Sequence, residues 1–272
     1  MIKLIVSDLD GTLLAHDKQV HERERTALLQ ASAAGVELCL ASGRLHIEME
    51  HVGQSIGLTP YIVSINGAYV FGPGGKPLYA TGFDRELASE VYALGAGFQV
   101  GMLACTGELN VTPEANEIVE RVNPRLQRPA TLMPELPETL RGGGISLCKF
   151  SYFGEMAELK RLQAYAETKL GGRVTTYITD VDCLDIMPHG VTKGAGLAML
   201  LKELGLKAEE TLCIGDSFND VSMFELTPHS FAMAGCDPLV RSSARHTAAC
   251  VADAVAWALE FNAAAAGKTG AR

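Results

Sequence analysis

The sequence predicts an α/β protein: an open parallel sheet flanked by helices, interrupted by an inserted α+β domain. Three observations carry this. Apolar runs of strand length alternate with stretches of helical periodicity, the mark of βαβ units around a parallel sheet. Polar clusters in both end portions follow directly on such runs. The middle of the chain changes character and mixes helices with strands over roughly 100 residues, the size of a domain.

Ile2 to Ser7 is a run that reads as a buried strand and stops at Asp8-Leu9-Asp10. A helix is expected over 21–34, ended by Gly35. Val36 to Ala41 is the next strand, with Ser42-Gly43-Arg44 just past its end. Another helix precedes the strand Tyr61 to Ile65, which stops at Asn66-Gly67. Toward the other end, Leu197, Leu200, Leu201 and Leu204 recur at i, i+3, i+4 and i+7, which places an amphipathic helix. Thr211 to Ile214 is a strand running into Gly215-Asp216, and Phe231-Ala232-Met233 is expected to be the last core strand. A helix carrying Val251, Val255, Ala258 and Leu259 closes the fold, and the small, polar tail 263–272 is expected to fray.

In the middle, Leu87, Val91 and Leu94 mark one helix. Ala115, Ile118, Val119 and Val122 mark a second, and Leu159, Leu162, Ala166 and Leu170 a third. Strand-like pieces lie at 145–153, 174–178 and 183–187. The expected division is a core of residues 1–83 and 188–272 with an inserted domain at 84–187.

Composition narrows the function. Of 272 residues, 47% are hydrophobic and 20% charged, as in ordinary soluble domains. Asp and Glu number 32 against 23 Lys and Arg, a formal charge of −9. That balance argues against nucleic acid or an anionic membrane as the main partner, both of which need basic surface. An anionic small molecule remains compatible, since one metal ion or lysine can dominate a small site. The seven cysteines include no C-x-x-C pair, and several sit in apolar runs such as Leu38-Cys39-Leu40. They read as reduced core residues of a cytoplasmic protein. No apolar run reaches the roughly 20 residues that span a bilayer, and no signal peptide is evident.

The chemistry-bearing clusters all fall at the carboxyl ends of expected strands, the edge where open α/β sheets bind ligands. Asp8 and Asp10 flank Leu9, with Gly11-Thr12 behind them. Two carboxylates so close repel unless a cation lies between them or one holds a proton. Gly11 permits a sharp turn, and the backbone N–H groups of Leu9 and Thr12 are candidate anion donors. Ser42 and Gly43 offer a hydroxyl and a bare N–H at a helix start, which suits a phosphate, although in isolation Ser42 reads first as a simple N-cap. Lys193 stands where a cation opposes the helix dipole, so a compensating anion is expected. Asp216 is placed to reach a metal, with Asn219 and Asp220 one helical turn further on. Singly, an Asp-Gly turn, a capping serine or an exposed lysine explains each cluster.

Together, D-x-D-G-T-L, S-G-R, T-K-G and G-D-S-x-N-D, in this order at strand ends, closely resemble the haloacid dehalogenase superfamily. The resemblance is to its Cof-type phosphatases, whose α/β cap lies between the second and third motifs. Asn66-Gly67-Ala68 resembles a further signature of that branch. It implies a Rossmann-like core with Asp8 as nucleophile and Asp10 as general acid/base. Asp8, the backbone carbonyl of Asp10, and Asp216 would hold Mg²⁺. Leu9 N–H, Ser42, Gly43, Lys193 and Asn219 would contact the phosphoryl group, with Asp220 behind the metal or Lys193. The implied substrate is a small phosphate ester such as a sugar phosphate, with flavin mononucleotide or pyridoxal phosphate also in range. The implied cap closes over the site and selects the leaving group; Arg141 to Gly144 and Thr179 to Cys183 are its candidate contacts, and His189 a third.

A phosphomutase is the nearest rival, since it uses the same aspartyl-phosphate. A nucleotide-binding module is disfavoured because no G-x-G-x-x-G follows the first strand. A non-catalytic Mg²⁺-dependent interaction protein would be expected to lack Asp8 or Asp216, and both are present. His46 and His51, five residues apart, read as surface residues, and Met199 and Met223 as core.

Overall fold

A strand with every residue buried, β1 (Leu4–Ser7), forms the centre of the larger sheet. A computed structural model describes residues 1–126 and 128–269. After β1 come α1 (Glu22–Ala33), β2 (Glu37–Ala41), α2 (His46–Ile56) and β3 (Tyr61–Ser64). A hairpin of β4 (Tyr69–Gly72) and β5 (Lys76–Ala80) follows and pairs antiparallel at the sheet edge.

The chain then enters a second unit, Thr81–Val191. It holds α3 (Arg85–Leu94), β6 (Val100–Cys105), β7 (Asn110–Thr112), α4 (Glu117–Val122), β8 (Thr131–Leu132) and α5 (Leu136–Gly142). It continues with β9 (Lys149–Gly154), α6 (Met156–Leu170), β10 (Val174–Asp180) and β11 (Cys183–Pro188). Its sheet runs β10-β11-β9-β6-β7-β8. Leu87 and Val91 of α3, and Leu159 and Leu162 of α6, pack with Phe150, Tyr152, Leu184 and Ile186 on one face. Val119 and Val122 of α4 pack with Leu103, Phe153 and Cys183, which alternate with the first set along their strands and so occupy the other face.

The first unit resumes with α7 (Lys193–Leu204), β12 (Thr211–Gly215), α8 (Val221–Leu226), β13 (His229–Met233), α9 (Pro238–Ser243), β14 (His246–Ala248) and α10 (Val251–Thr269). Its strand order is β14-β13-β12-β1-β2-β3-β4-β5, parallel from β14 through β3. Both faces are covered. Ile5, Leu38 and Leu40 pack with α1, α2 and α10, while Leu4, Val6 and Cys39 pack with α7 and α8. This double burial is why the parallel strands read as unbroken apolar runs.

Three sequence expectations change. The unit boundaries fall at 80/81 and 191/192 rather than 83/84 and 187/188. At entry, the Phe83 N–H donates to Leu147 O at 2.8 Å; at exit, the His189 N–H donates to Arg173 O at 2.9 Å, so both ends are tied into the insert. Phe231 to Met233 is not in the last strand, because β14 adds a parallel edge. The tail is helical through Thr269, since α10 is Ala-rich and Ala has the strongest intrinsic helix preference. Residues 270–272 of that tail lie outside the described residues.

Candidate active site

The carboxyl ends of β1, β2 and β12 lie side by side, because Ser7 pairs with Leu40 on one flank and with Ile214 on the other. The residues that follow these strands therefore share one edge. The Asp8 N–H donates to Ile214 O at 2.9 Å and locks the first of them to the third strand. Gly11 turns with φ +84°, and a Cβ there would lie 2.4 Å from Asp216 Oδ2. Only glycine lets this loop approach Asp216 so closely.

Lys193, the first residue of α7, is 1% exposed. Its Nζ donates to Asp8 Oδ1 at 2.6 Å and to Asp220 Oδ1 at 2.7 Å. Buried charges of this kind need pairing to be tolerated, and here two carboxylates offset the unfavourable placement of a cation at a helix N-terminus. The helix start itself is capped by Thr192, whose hydroxyl accepts from the Ala195 N–H.

Asp220 is fully buried and uses both oxygens: Oδ2 accepts the N–H groups of Asp216 and Ser217, each at 2.9 Å. Its carboxylate thus shapes the loop that carries Asp216 and anchors Lys193 at the same time. Asp216 is half-buried, and its Oδ1 accepts from the Thr12 hydroxyl at 3.1 Å. Ligand oxygens of Asp8, Asp216 and Asp220 lie within 4.8 Å of one another.

The electrostatics are unbalanced. Three carboxylates meet the single ammonium of Lys193, a formal surplus of two negative charges. Burial, opposed by Lys193 and reinforced by Asp220, pushes the Asp8 carboxyl up to about 8. Burial and Asp220 raise Asp216 as well. Lys193 loses basicity to burial but regains more from Asp220 and Asp8, so it stays charged. A divalent cation would cancel the surplus, and an all-oxygen donor set is the kind that hard cations such as Mg²⁺ prefer. The residues fit such an ion.

Asp10 behaves differently. Its carboxylate does not join the other three: Arg44 grips it with Nε to Oδ2 at 2.7 Å and Nη2 to Oδ1 at 2.6 Å, and Lys18 Nζ adds a third bond at 2.8 Å. Burial would raise its pKa, but these two cations hold it below the ordinary carboxylate value.

Ser42 does not cap α2, whose N-cap is Leu45. Its hydroxyl oxygen accepts from the Arg44 N–H at 3.3 Å in a local turn beside Gly43. Thr12 spends its backbone N–H on Leu9 O at 3.2 Å, which removes it from the candidate anion donors. The Leu9 side chain is buried. Asn219 Nδ2 donates to Asn66 Oδ1 at 3.1 Å. His46 is not a surface residue: it stacks on Phe71 with ring centroids 4.3 Å apart.

In the second unit, Gly143 and Gly144 line a cavity of about 290 Å³ together with Phe83, Arg85 and Leu147. Asp180 and Asp182, inside the 179–183 segment, pair with Arg125 at 2.9 and 2.6 Å. Sequence reasoning did not assign Arg44, Lys18, Thr12 Oγ1 or Asn66 to side-chain partners at the site. Arg44 and Asn66 did stand inside recognisable S-G-R and N-G-A triplets.

The comparisons with known proteins agree with this geometry. Residues 5–259 match the family of haloacid dehalogenase-like hydrolases. A relative from Klebsiella pneumoniae named HMP-PP phosphatase is 28% identical over 249 residues, 90% of this chain and 89% of that protein. A haloacid dehalogenase-like hydrolase from Bacteroides thetaiotaomicron superimposes with a TM-score of 0.80 at 24% identity, covering 94% of this chain and 98% of that one. One from B. subtilis gives 0.79 at 24% identity, covering 90% and 94%. A family match over almost the whole chain, with all four motifs gathered at one sheet edge, makes this protein a member of the haloacid dehalogenase-like hydrolases.

Proposed function

We propose that the protein is a Mg²⁺-dependent phosphatase that hydrolyses small phosphate esters through an aspartyl-phosphate on Asp8. The observation that carries this reading is the buried Asp8–Lys193–Asp220 cluster with Asp216 beside it, short of two positive charges. A carboxylate can attack a phosphate dianion only if cations neutralise the approach.

Asp8, the backbone carbonyl of Asp10, and Asp216 would hold the ion. Asp220 is occupied on both oxygens by Lys193 and the 216–217 backbone, and so stands behind it. When bound, Mg²⁺ supplies charge neutralisation and alignment of the phosphoryl oxygens. Lys193 orients Asp8 and opposes the upward shift that burial imposes on its carboxyl, and it stays charged beside the phosphoryl group. Leu9 N–H, the Ser42 hydroxyl, the Gly43 N–H and Asn219 Nδ2 hold the remaining phosphoryl oxygens. Asp8 Oδ attacks phosphorus and the ester oxygen leaves with a proton from Asp10. Asp10, now a carboxylate, takes a proton from the water that attacks the aspartyl-phosphate, and phosphate departs.

The grip of Arg44 and Lys18 bears on this cycle. A carboxylate held by two cations stays ionised at pH 7, so Asp10 must be released from them before it can carry a proton to the leaving group. The ionised form is already suited to the second, hydrolytic half.

The inserted unit is assigned the choice of leaving group. No helix among the described residues is long and apolar enough to cross a membrane, and all seven cysteines are free thiols, six of them buried. A cytoplasmic location fits both. The test is phosphate release from a panel of sugar phosphates, flavin mononucleotide, pyridoxal phosphate and HMP-PP, the compound named in the relatives. Release from at least one member of the panel, abolished by excess chelator and restored by Mg²⁺, is expected. Full turnover in chelator, or transfer of the group within a sugar bisphosphate without release, would overturn the reading.

A further inference from the structure

The turn Ile65-Asn66-Gly67 plays no part in the cycle just described, yet it touches three of the stretches that do. All three residues have positive φ: 49°, 52° and 96°. For isoleucine that backbone is rarely adopted, and such outliers persist only where surrounding structure enforces them. On one side the Asn66 N–H donates to Ser42 O at 2.9 Å and the Ile65 N–H donates to Arg44 O at 3.1 Å. On another, Gly67 presses on the residue before Lys193, since a Cβ at 67 would lie 2.0 Å from Thr192 O. The side chain of Asn66 makes the third connection, from its Oδ1 to Asn219 Nδ2.

The chemistry of that last bond is informative. The two ends of a carboxamide have nearly the same shape, and only hydrogen-bond partners decide which end faces which way. To hold an anion, Asn219 must present its NH₂ and not its oxygen. Asn66 is 1% exposed, and its Oδ1 can only accept, so it engages one Nδ2 hydrogen of Asn219 and leaves the second for another acceptor. The opposite ends of the pair, Asn66 Nδ2 and Asn219 Oδ1, are buried without a hydrogen-bond partner. Buried polar atoms are rarely left so; a pair built only for stability would use both bonds.

We infer that Asn66 is a positioning residue, whose Oδ1 fixes the Asn219 carboxamide so that Nδ2 faces the transferred phosphoryl group. This rests on the phosphatase reading above. Three variants of the full chain test it: Asn66→Gly, Asn219→Ala and the double variant. Glycine keeps the left-handed backbone and deletes the side chain with its carboxamide. The readouts are kcat and KM for p-nitrophenyl phosphate and the inhibition constant of inorganic phosphate.

Hydrogen bonds to charged groups predict a loss of about 10- to 100-fold in phosphate affinity for each single variant. The double variant should be no worse than Asn219→Ala within about twofold, because Asn66 acts through Asn219. Losses that multiply would show that Asn66 acts independently, and wild-type inhibition in Asn66→Gly would show that it does not orient Asn219; either overturns the inference alone. A wild-type protein that cleaves no phosphate ester overturns the phosphatase reading and takes the inference with it. Should Asn66→Gly fail to fold, the nitrogen–proton spectrum of the wild-type protein decides. One Asn219 Nδ2 proton should shift on adding inorganic phosphate while its partner stays fixed. Both moving alike, or neither moving, overturns the inference.

Discussion

Loading the metal-free protein with Mg²⁺ at pH 7 should release close to one proton per ion. Burial pushes the Asp8 carboxyl up to about 8, with Asp220 and Asp216 acting in the same direction and Lys193 opposing. A group with that pKa is about 90% protonated at pH 7, and it must ionise to serve as a metal ligand. Apparent Mg²⁺ affinity should therefore climb up to tenfold per pH unit toward pH 8 and then level off. Between pH 6 and pH 9 the gain is about 100-fold, or ~2.7 kcal/mol. The same group sets a stability trend of definite sign. Its folded pKa lies above the ordinary aspartate value of 3.8, so the folded state binds the extra proton between about pH 4 and pH 8. Metal-free protein should lose stability as pH rises through that window, and Mg²⁺ should restore most at its upper end. Calorimetric titration at pH 7 in buffers of different ionisation enthalpy counts the protons directly. Binding with zero release would refute the reasoning. Undiminished release from Asp8→Asn would place the proton on another group.

Asp8→Asn should bind phosphate yet form no covalent phospho-enzyme, which mass spectrometry of acid-quenched protein checks. Lys193→Met leaves Asp8 and Asp220 buried without their shared cation. It should cost about 3–5 kcal/mol in denaturant unfolding, as breaking a buried pair does, and it should weaken phosphate inhibition. Asp10→Asn removes a proton transfer worth about 10²–10⁴-fold. Its defect should be smaller for the phosphorylation step with p-nitrophenyl phosphate than with a sugar phosphate, so rapid mixing should show a burst of nitrophenol followed by slow turnover. Gly11→Ala drives a Cβ into Asp216 Oδ2 and strains the left-handed turn. Its melting temperature should lose most of the rise that Mg²⁺ gives the wild type.

The parts of this fold that were legible in the sequence are those whose burial is uniform. In β1, β2 and β12 almost every residue is buried, because helices cover both faces, and an unbroken apolar run is the direct trace of that. β5 is exposed or half-buried along its whole length and contains Pro77, while β14 has three residues with a mixed pattern, so neither leaves a trace of comparable strength. Helix α5 starts with Leu136-Pro137 and ends at Gly142, which reads as loop chemistry although Leu136 and Leu140 are fully buried beneath it. In α10 the difficulty is reversed: beyond Asn262 come four alanines, with no apolar stripe to count but a strong helix preference of their own.

The site divides along a related line. Asp8, Asp216 and Lys193 could be placed because each follows a strand end or opens a helix, so chain position alone put them on one edge. Side-chain direction is a different quantity, and position does not settle it. Asp10 stands two residues from Asp8, yet its carboxylate turns away to Arg44, 34 positions along the chain. Asp220 was legible as a neighbour of Lys193, but its use of one oxygen for Lys193 and the other for two backbone N–H groups depends on how the 216–220 loop closes. Such arrangements follow from charge pairing after the strands have assembled. Burying three carboxylates round one lysine is costly, and the loops around them supply bonds that make it tolerable: Thr12 to Asp216 and two backbone N–H groups to Asp220. Those bonds leave Asp8 and Asp216 without a full set of positive partners. The surplus charge at the sheet edge is therefore confined to the two side chains that would face an incoming cation, and a metal-dependent reading rests on that residual imbalance more than on the motifs themselves.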